Sequence, residues 1–117
     1  MPRVRHQVAS RKRRKKVLKT AKGSYGGRRK LYRTAKETVQ RAMVYSYRDR
    51  RNKKRNFRSL WIVRINAACR LLGISSSRFM NGLKKMGVMI DRKNLAEVAV
   101  KDPQTFAQLA QMVQKGQ

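Results

Sequence analysis

The apolar positions of this chain fall into two unlike halves. Between Met1 and Thr38 they are sparse: Val4, Val8, Val17, Leu18, Tyr25, Leu31, Tyr32 and a few alanines. From Phe57 onward they are dense and periodic, so a core is expected only there. About 60 residues is near the lower limit for a self-standing core, and modest stability is expected of it.

Residues 1–9 show no periodicity and are expected to form an extended tail. Ser10 is the expected N-cap of a first helix, Arg11 to Lys22, which Gly23 stops. Basic side chains line every face of that helix, so it has no core-packing stripe. Gly23-Ser24-Tyr25-Gly26-Gly27 is the strongest breaker in the chain and predicts a turn whose backbone approaches a partner closely.

From Arg28 to Leu72, 45 residues run without Gly or Pro. Leu31, Ala35, Val39, Ala42 and Met43 keep a narrow helical stripe, and Phe57, Leu60, Trp61, Ile65, Ala68 and Leu72 continue it toward the core. A single helix of that length reaches about 67 Å, more than the diameter expected of the C-terminal globule, so half of it must lie along another molecule. If it is interrupted, Asn52 to Asn56 is the expected break, because Asn is a poor helix former.

The last third predicts three short helices. Gly73 ends the long helix and Ser75 to Ser77 cap the next, where Phe79, Met80, Leu83 and Met86 share a face until Gly87. Val88-Met89-Ile90 is an extended link. Asp91 is the expected N-cap of Arg92 to Val100, with Leu95, Val98 and Ala99 inward. Asp102-Pro103 reads as a cap followed by Pro at the first helical position. Phe106, Leu109, Ala110 and Val113 then repeat at i, i+3, i+4 and i+7. No strand signal and no internal repeat is present. The fold class expected is all-α: a long basic helical extension over residues 1–58 and a small helical domain over residues 59–117.

Charge changes this picture most. The 117 residues carry 32 Lys and Arg against 5 Asp and Glu, a formal net charge of +27. Residues 1–70 hold 25 of those 32 cations and two carboxylates, Glu37 and Asp49. The chain is thus a polycation joined to a nearly ordinary small domain, and self-repulsion of this size calls for a polyanion, by default a nucleic acid. One Cys and one His exclude an internal disulfide and a four-ligand zinc site. No apolar run approaches the roughly 20 residues of a membrane span, and no secretory signal is read at the N-terminus. No metal, cofactor or membrane partner is expected, and an enzyme is disfavoured.

The candidate contacts follow the cations. Arg3, Arg5 and His6 lie in the tail, where no carboxylate is near His6. The run Arg11, Lys12, Arg13, Arg14, Lys15 and Lys16, with Lys19 and Lys22, repels itself as a free helix. Arg28, Arg29, Lys30, Arg33, Lys36 and Arg41 follow the Gly-rich turn. Arg48, Arg50, Arg51, Lys53, Lys54, Arg55 and Arg58 form a second dense run. Such runs fit where phosphates surround them, since a solvated face usually mixes both signs. Arg outnumbers Lys in residues 1–70 by 16 to 9, and Arg offers phosphate a bidentate fork and stacks on bases. Tyr25, Tyr32, Tyr45, Tyr47 and Phe57 are interleaved, the mixture expected for structured RNA. Of these Tyr25 and Tyr32 are counted as contacts, whereas Phe57 and Trp61 are assigned to the start of the core. Gly23 to Gly27 lacks the spacing of a nucleotide loop. Cys69 is expected to be a small buried apolar residue rather than a nucleophile.

Four stretches carry a resemblance. Met1-Pro2-Arg3-Val4 opens the chain. Tyr47-Arg48-Asp49-Arg50-Arg51-Asn52-Lys53-Lys54-Arg55-Asn56-Phe57-Arg58-Ser59-Leu60-Trp61-Ile62-Val63-Arg64-Ile65-Asn66-Ala67-Ala68 forms the centre. Ser77-Arg78-Phe79-Met80-Asn81-Gly82-Leu83-Lys84-Lys85 and Ile90-Asp91-Arg92-Lys93 lie toward the end. Together they resemble the L-twenty family of bacterial large-subunit ribosomal proteins over essentially the whole chain. The resemblance implies direct binding to large-subunit ribosomal RNA, an early role in subunit assembly, neighbouring large-subunit ribosomal proteins as partners, and a cytoplasmic, ribosome-bound location. It implies an extension threaded between RNA segments, and Arg78, Asn81, Lys84, Lys85, Arg92 and Lys93 as RNA contacts of the C-terminal domain. In some relatives that domain binds the leader of its own messenger RNA, which becomes a candidate partner. The resemblance implies no catalytic role.

On this reading the extension has too little apolar surface to fold alone and is expected to order on RNA. The rival class is a DNA-binding nucleoid or helix-turn-helix regulatory protein. Residues 74–100 do predict two short helices, but they lack a concentration of base-reading side chains. A membrane-active cationic peptide fails for want of a broad apolar face.

Overall fold

A computed structural model of the chain describes residues 6–116. The elements are α1 (Gln7–Thr20), a one-turn 3₁₀ helix (Gly26–Arg29), α2 (Tyr32–Leu71), α3 (Ser76–Lys85), α4 (Arg92–Lys101) and α5 (Pro103–Lys115). There is no strand among the described residues, so the fold is all-α, as the periodicity predicts. The chain divides into two compact units, Met1–Arg51 and Asn52–Gln117. No helix among the described residues is long and apolar enough to cross a membrane.

In the N-terminal unit, α1 starts earlier than predicted. Gln7 to Ala9 are helical, not extended, and Ser10 lies inside the first turn with its N–H donating to the His6 carbonyl at 3.0 Å. His6 occupies the cap position without a side-chain capping bond. A cap is worth only about 1 kcal/mol, and exposed N–H groups at a helix start are satisfied by water, so good helix formers extend past Ser10. Arg3 and Arg5, with the rest of residues 1–5, lie outside the described residues.

This unit also has an apolar cluster where the sequence predicts none. Ala21, Ala35 and Val39 are buried, with Val17 and Leu18 packed against them. It was hidden because it is built largely from alanine, whose missing bulk lets helices approach. The predicted stripe contributes only partly: Leu31 and Met43 are 62% and 63% exposed. The Gly-rich turn lies between the helices that share this cluster. The Leu31 N–H donates to the Gly27 carbonyl at 2.8 Å, and the Thr34 hydroxyl donates to the Gly27 and Leu31 carbonyls at 3.1 Å, tying that turn to the start of α2.

α2 is one uninterrupted helix of 40 residues. The break allowed for at Asn52 to Asn56 does not occur. The helix cost of Asn is a few tenths of a kcal/mol per residue, and without Gly or Pro nothing larger opposes continuation.

In the C-terminal unit, the end of α2 and α3 to α5 enclose one core. Ile65, Cys69, Phe79, Leu83, Leu95, Ala96, Phe106, Ala110 and Val113 are buried, with Trp61 and Ala68 half-buried against them. The Phe79 and Phe106 rings meet at 5.0 Å between centroids, tilted by 40°. Phe57 does not join this core. It is 46% exposed, against Trp61 at 6.3 Å between ring centroids, and Leu60 and Leu72 are also exposed. The buried stripe is narrower than the predicted one because α2 presents a single face to the core.

The helix ends of this unit follow the expected chemistry. Gly73 and Gly87 both adopt φ +71°, which lets the Ile74 and Val88 N–H groups close back onto the Cys69 and Leu83 carbonyls at 3.0 Å. Asp91 accepts the Asn94 N–H at 3.0 Å and Asp102 the Thr105 N–H at 3.1 Å. Ser75 holds the cap position of α3 without a side-chain bond.

α3 lies tightly against α5 at Gly82. A Cβ placed there lies 2.2 Å from the Cγ1 of Val113, a stiff β-branched side chain that is itself buried. Gly82→Ala is therefore expected to destabilise the protein by about 1–3 kcal/mol, although alanine is the better helix former. Urea unfolding checks this, and the loss should shrink when Val113→Ala is added. Acid provides a second test. Hydrogen bonds from the Thr105 hydroxyl and backbone hold the Asp102 carboxyl below its ordinary pKa. A pKa lowered by folding gives stability that is complete above the ordinary carboxylate range and lost as pH falls through the lowered value. Thermal unfolding between pH 7 and pH 3 should thus show a smaller acid-induced loss for Asp102→Asn than for the parent chain.

Candidate nucleic-acid interface

The helical periodicity that buries so few side chains leaves the cations outward. On α1, Arg11, Lys12, Arg13, Arg14, Lys15, Lys16 and Lys19 are all exposed, as is Lys22 beyond it. His6, Arg28, Arg29, Lys30, Arg33, Lys36, Arg41, Arg48, Arg50 and Arg51 are exposed in the same unit. In the C-terminal unit, Lys53, Lys54, Arg55 and Arg58 project from α2, and Arg78, Asn81, Lys84 and Lys85 from α3. Lys93 is exposed on α4, and Arg92 alone among these predicted contacts is half-buried.

Almost nothing in the chain neutralises them. Among the described residues two ion pairs lie within 4.0 Å, Arg48 with Asp49 and Lys101 with Glu97. Both are exposed, and pairs of that kind contribute at most about 1 kcal/mol. The Lys101 hydrogen bond is also what lowers the Glu97 carboxyl below its ordinary value. No buried polar side-chain atom in the described residues lacks a partner, so the unsatisfied demand of this protein is charge on its surface.

Three guanidiniums are already held in place by aromatic faces. Arg48 lies 4.8 Å from the Tyr45 ring centroid, Arg51 4.8 Å from that of Tyr47, and Arg14 5.6 Å from that of Tyr32. The first two pairs sit three and four residues apart on α2, a spacing legible in the sequence. The third joins α1 to α2 and was not. Each stack is worth about 0.5–1 kcal/mol at an exposed site and leaves the edge of the guanidinium open, apart from the Arg48 Nε–H, which donates to Asp49 at 3.0 Å. Tyr32, Tyr45 and Tyr47 therefore act partly as supports for arginine. Tyr25 stands apart: it is 93% exposed and has no such partner among the described residues.

Some residues of this surface escaped the sequence reading. Arg64 and Arg70 are exposed on α2. Their charge was visible, but they stand singly within the apolar stripe rather than in a run. Thr34, Glu37 and Thr38, none of them basic, line a cleft with Arg28 and Arg41.

The described residues hold no group of three or more His, Cys, Asp or Glu able to bind a metal. Comparison with known sequences identifies the lineage. The family model described as "Ribosomal protein L20" matches residues 3–109. The chain belongs to the ribosomal protein L20 family. It is 56% identical over 115 residues to the large ribosomal subunit protein bL20 of Carboxydothermus hydrogenoformans, covering 98% of each chain. It is 57% identical over 113 residues to that of Desulfatibacillum aliphaticivorans, covering 97% of each. The family is structural and non-enzymatic.

Cys69 fits that description. It is fully buried, and burial pushes its thiol pKa up, which leaves it the neutral, unreactive form. Ellman's reagent should leave the folded protein unlabelled and titrate one thiol per chain in denaturant.

Proposed function

We propose that this protein binds large-subunit ribosomal RNA directly and promotes early subunit assembly by neutralising and bridging RNA helices. The observation that carries this reading is the set of exposed cations on α1 and α2 with almost no carboxylate partners among the described residues. Converging RNA helices repel through their phosphates. A cationic extension placed between them offsets that repulsion, and each neutralised phosphate releases condensed counterions.

Residues 1–58 act as the threading extension and residues 59–117 as the anchor. Arg28 and Arg29 in the one-turn 3₁₀ helix, and Tyr25 before it, meet RNA where the backbone turns. The stacked arginines at 14, 48 and 51 present forks whose orientation is set in advance, which lowers the entropy lost on binding. Arg78, Asn81, Lys84, Lys85, Arg92 and Lys93 form the contact of the anchor. The protein works in the cytoplasm on the ribosome, beside neighbouring large-subunit proteins. The exposed α3 residues are also the natural surface for the leader of its own messenger RNA.

Competition binding tests the reading. The full-length chain should prefer large-subunit ribosomal RNA to duplex DNA at fixed salt. With roughly 6–10 phosphate contacts, affinity should fall about 10³- to 10⁵-fold between 50 mM and 200 mM salt. Preference for duplex DNA would instead favour a nucleoid or helix-turn-helix regulator.

A further inference from the structure

One carboxylate in the N-terminal unit is out of place. Glu37 lines a cleft of about 410 Å³ with Arg28, Thr34, Thr38 and Arg41, within the size range of small-ligand sites. In a segment built to meet phosphate, a carboxylate repels the ligand unless it has donors of its own. Helical spacing offers it Arg33 and Arg41, four residues to either side. At that same spacing Glu97 does close on Lys101. Glu37 closes on neither, and no basic nitrogen among the described residues lies within 4.0 Å of it.

The threonines do not serve it either. The Thr34 hydroxyl donates to the Gly27 and Leu31 carbonyls, and the Thr38 hydroxyl to the Thr34 carbonyl at 2.8 Å. Their hydrogens are committed to backbone. The cleft therefore presents a two-oxygen acceptor at Glu37 with no ion-pair partner among the described residues, two guanidinium donors at Arg28 and Arg41, and apolar surface from Ala42 and Tyr45. Two parallel acceptors match two adjacent N–H donors. Among the RNA bases, only guanine has them side by side, at N1 and N2 of its Watson–Crick edge. Adenine and cytosine place an acceptor nitrogen beside their amino group, and uracil flanks its one N–H with carbonyl oxygens. That edge is open only where the base is unpaired.

We propose that this cleft captures one unpaired guanine of the bound RNA, Glu37 accepting N1–H and N2–H while Arg28 and Arg41 hold the flanking phosphate. The proposal rests on the reading that the protein binds ribosomal RNA, and adds to it a point of base selection within an extension otherwise blind to sequence. Arg28 and Arg41 also offset the carboxylate's repulsion of that phosphate.

Kethoxal, which adds to N1 and N2 of guanines with a free Watson–Crick edge, tests it. Large-subunit ribosomal RNA is probed with the full-length protein, with Glu37→Gln and with Glu37→Ala. Circular dichroism confirms that the variants keep their helices. The expected result is one guanine protected by the parent chain and reactive with both variants, with other protections and the salt dependence of binding unchanged. An RNA fragment bearing that guanine should bind Glu37→Gln about 5- to 150-fold more weakly than the parent. Replacing the guanine by adenine should weaken the parent and leave Glu37→Ala unaffected. Identical guanine patterns for parent and variants, or a variant that loses all protections together, would overturn the proposal. A parent chain that prefers duplex DNA to ribosomal RNA would overturn the underlying reading instead, and the proposal with it.

Discussion

Repulsion among like charges that the chain itself does not neutralise governs this structure. A net charge of +27 sits on 117 residues, and the described part offers two exposed ion pairs against it. Everything N-terminal of the core is arranged around that excess. Helix keeps neighbouring cations pointing outward, alanine allows α1 and α2 to meet with little apolar bulk, and tyrosines turn some guanidiniums into fixed surfaces. None of these devices removes charge. They hold it in a definite geometry, which is useful only if a polyanion completes the arrangement.

The C-terminal unit solves a different problem with ordinary means. Its few residues must enclose a core at the size where small domains become marginal. It does so with two phenylalanines in tilted contact, a buried cysteine used as a small apolar group, and a glycine where α3 meets α5. Its helices are stopped and started by residues whose chemistry is local: left-handed glycines at two C-termini and aspartates at two N-termini. Consistency between local signals and the packed result is what allows so short a segment to specify one fold.

Those local signals are also what made this half legible from sequence. Asp91, Asp102, Pro103, Gly73 and Gly87 each act within a few residues, so their effect could be placed before any tertiary contact was known. The N-terminal unit was harder. The start of α1 lacks a side-chain cap, so Ser10 drew the boundary too late. Ala35 and Val39 lie on the predicted stripe of α2, but their encounter with Ala21 joins residues distant in sequence, which hydrophobic periodicity does not report. Phe57 fits the stripe by spacing yet stays half in solvent, because spacing does not say how wide the covering neighbour is. Among the predicted contacts, exposure followed from charge, whereas the stack of Arg14 on Tyr32 and the arrival of Arg28 beside the Glu37 face of α2 arise from three-dimensional proximity.

α3 carries two sets of residues that do not overlap. Phe79, Gly82 and Leu83 face the core, while Arg78, Asn81, Lys84 and Lys85 face outward. Within ten residues, the requirements of folding and those of the surface are written in separate positions. A lineage can therefore rewrite one set without consulting the other. The outer set is free to drift with whatever partner it meets, at the pace of that partner's own sequence. The inner set is held by volume, most tightly at a position that has no side chain to change.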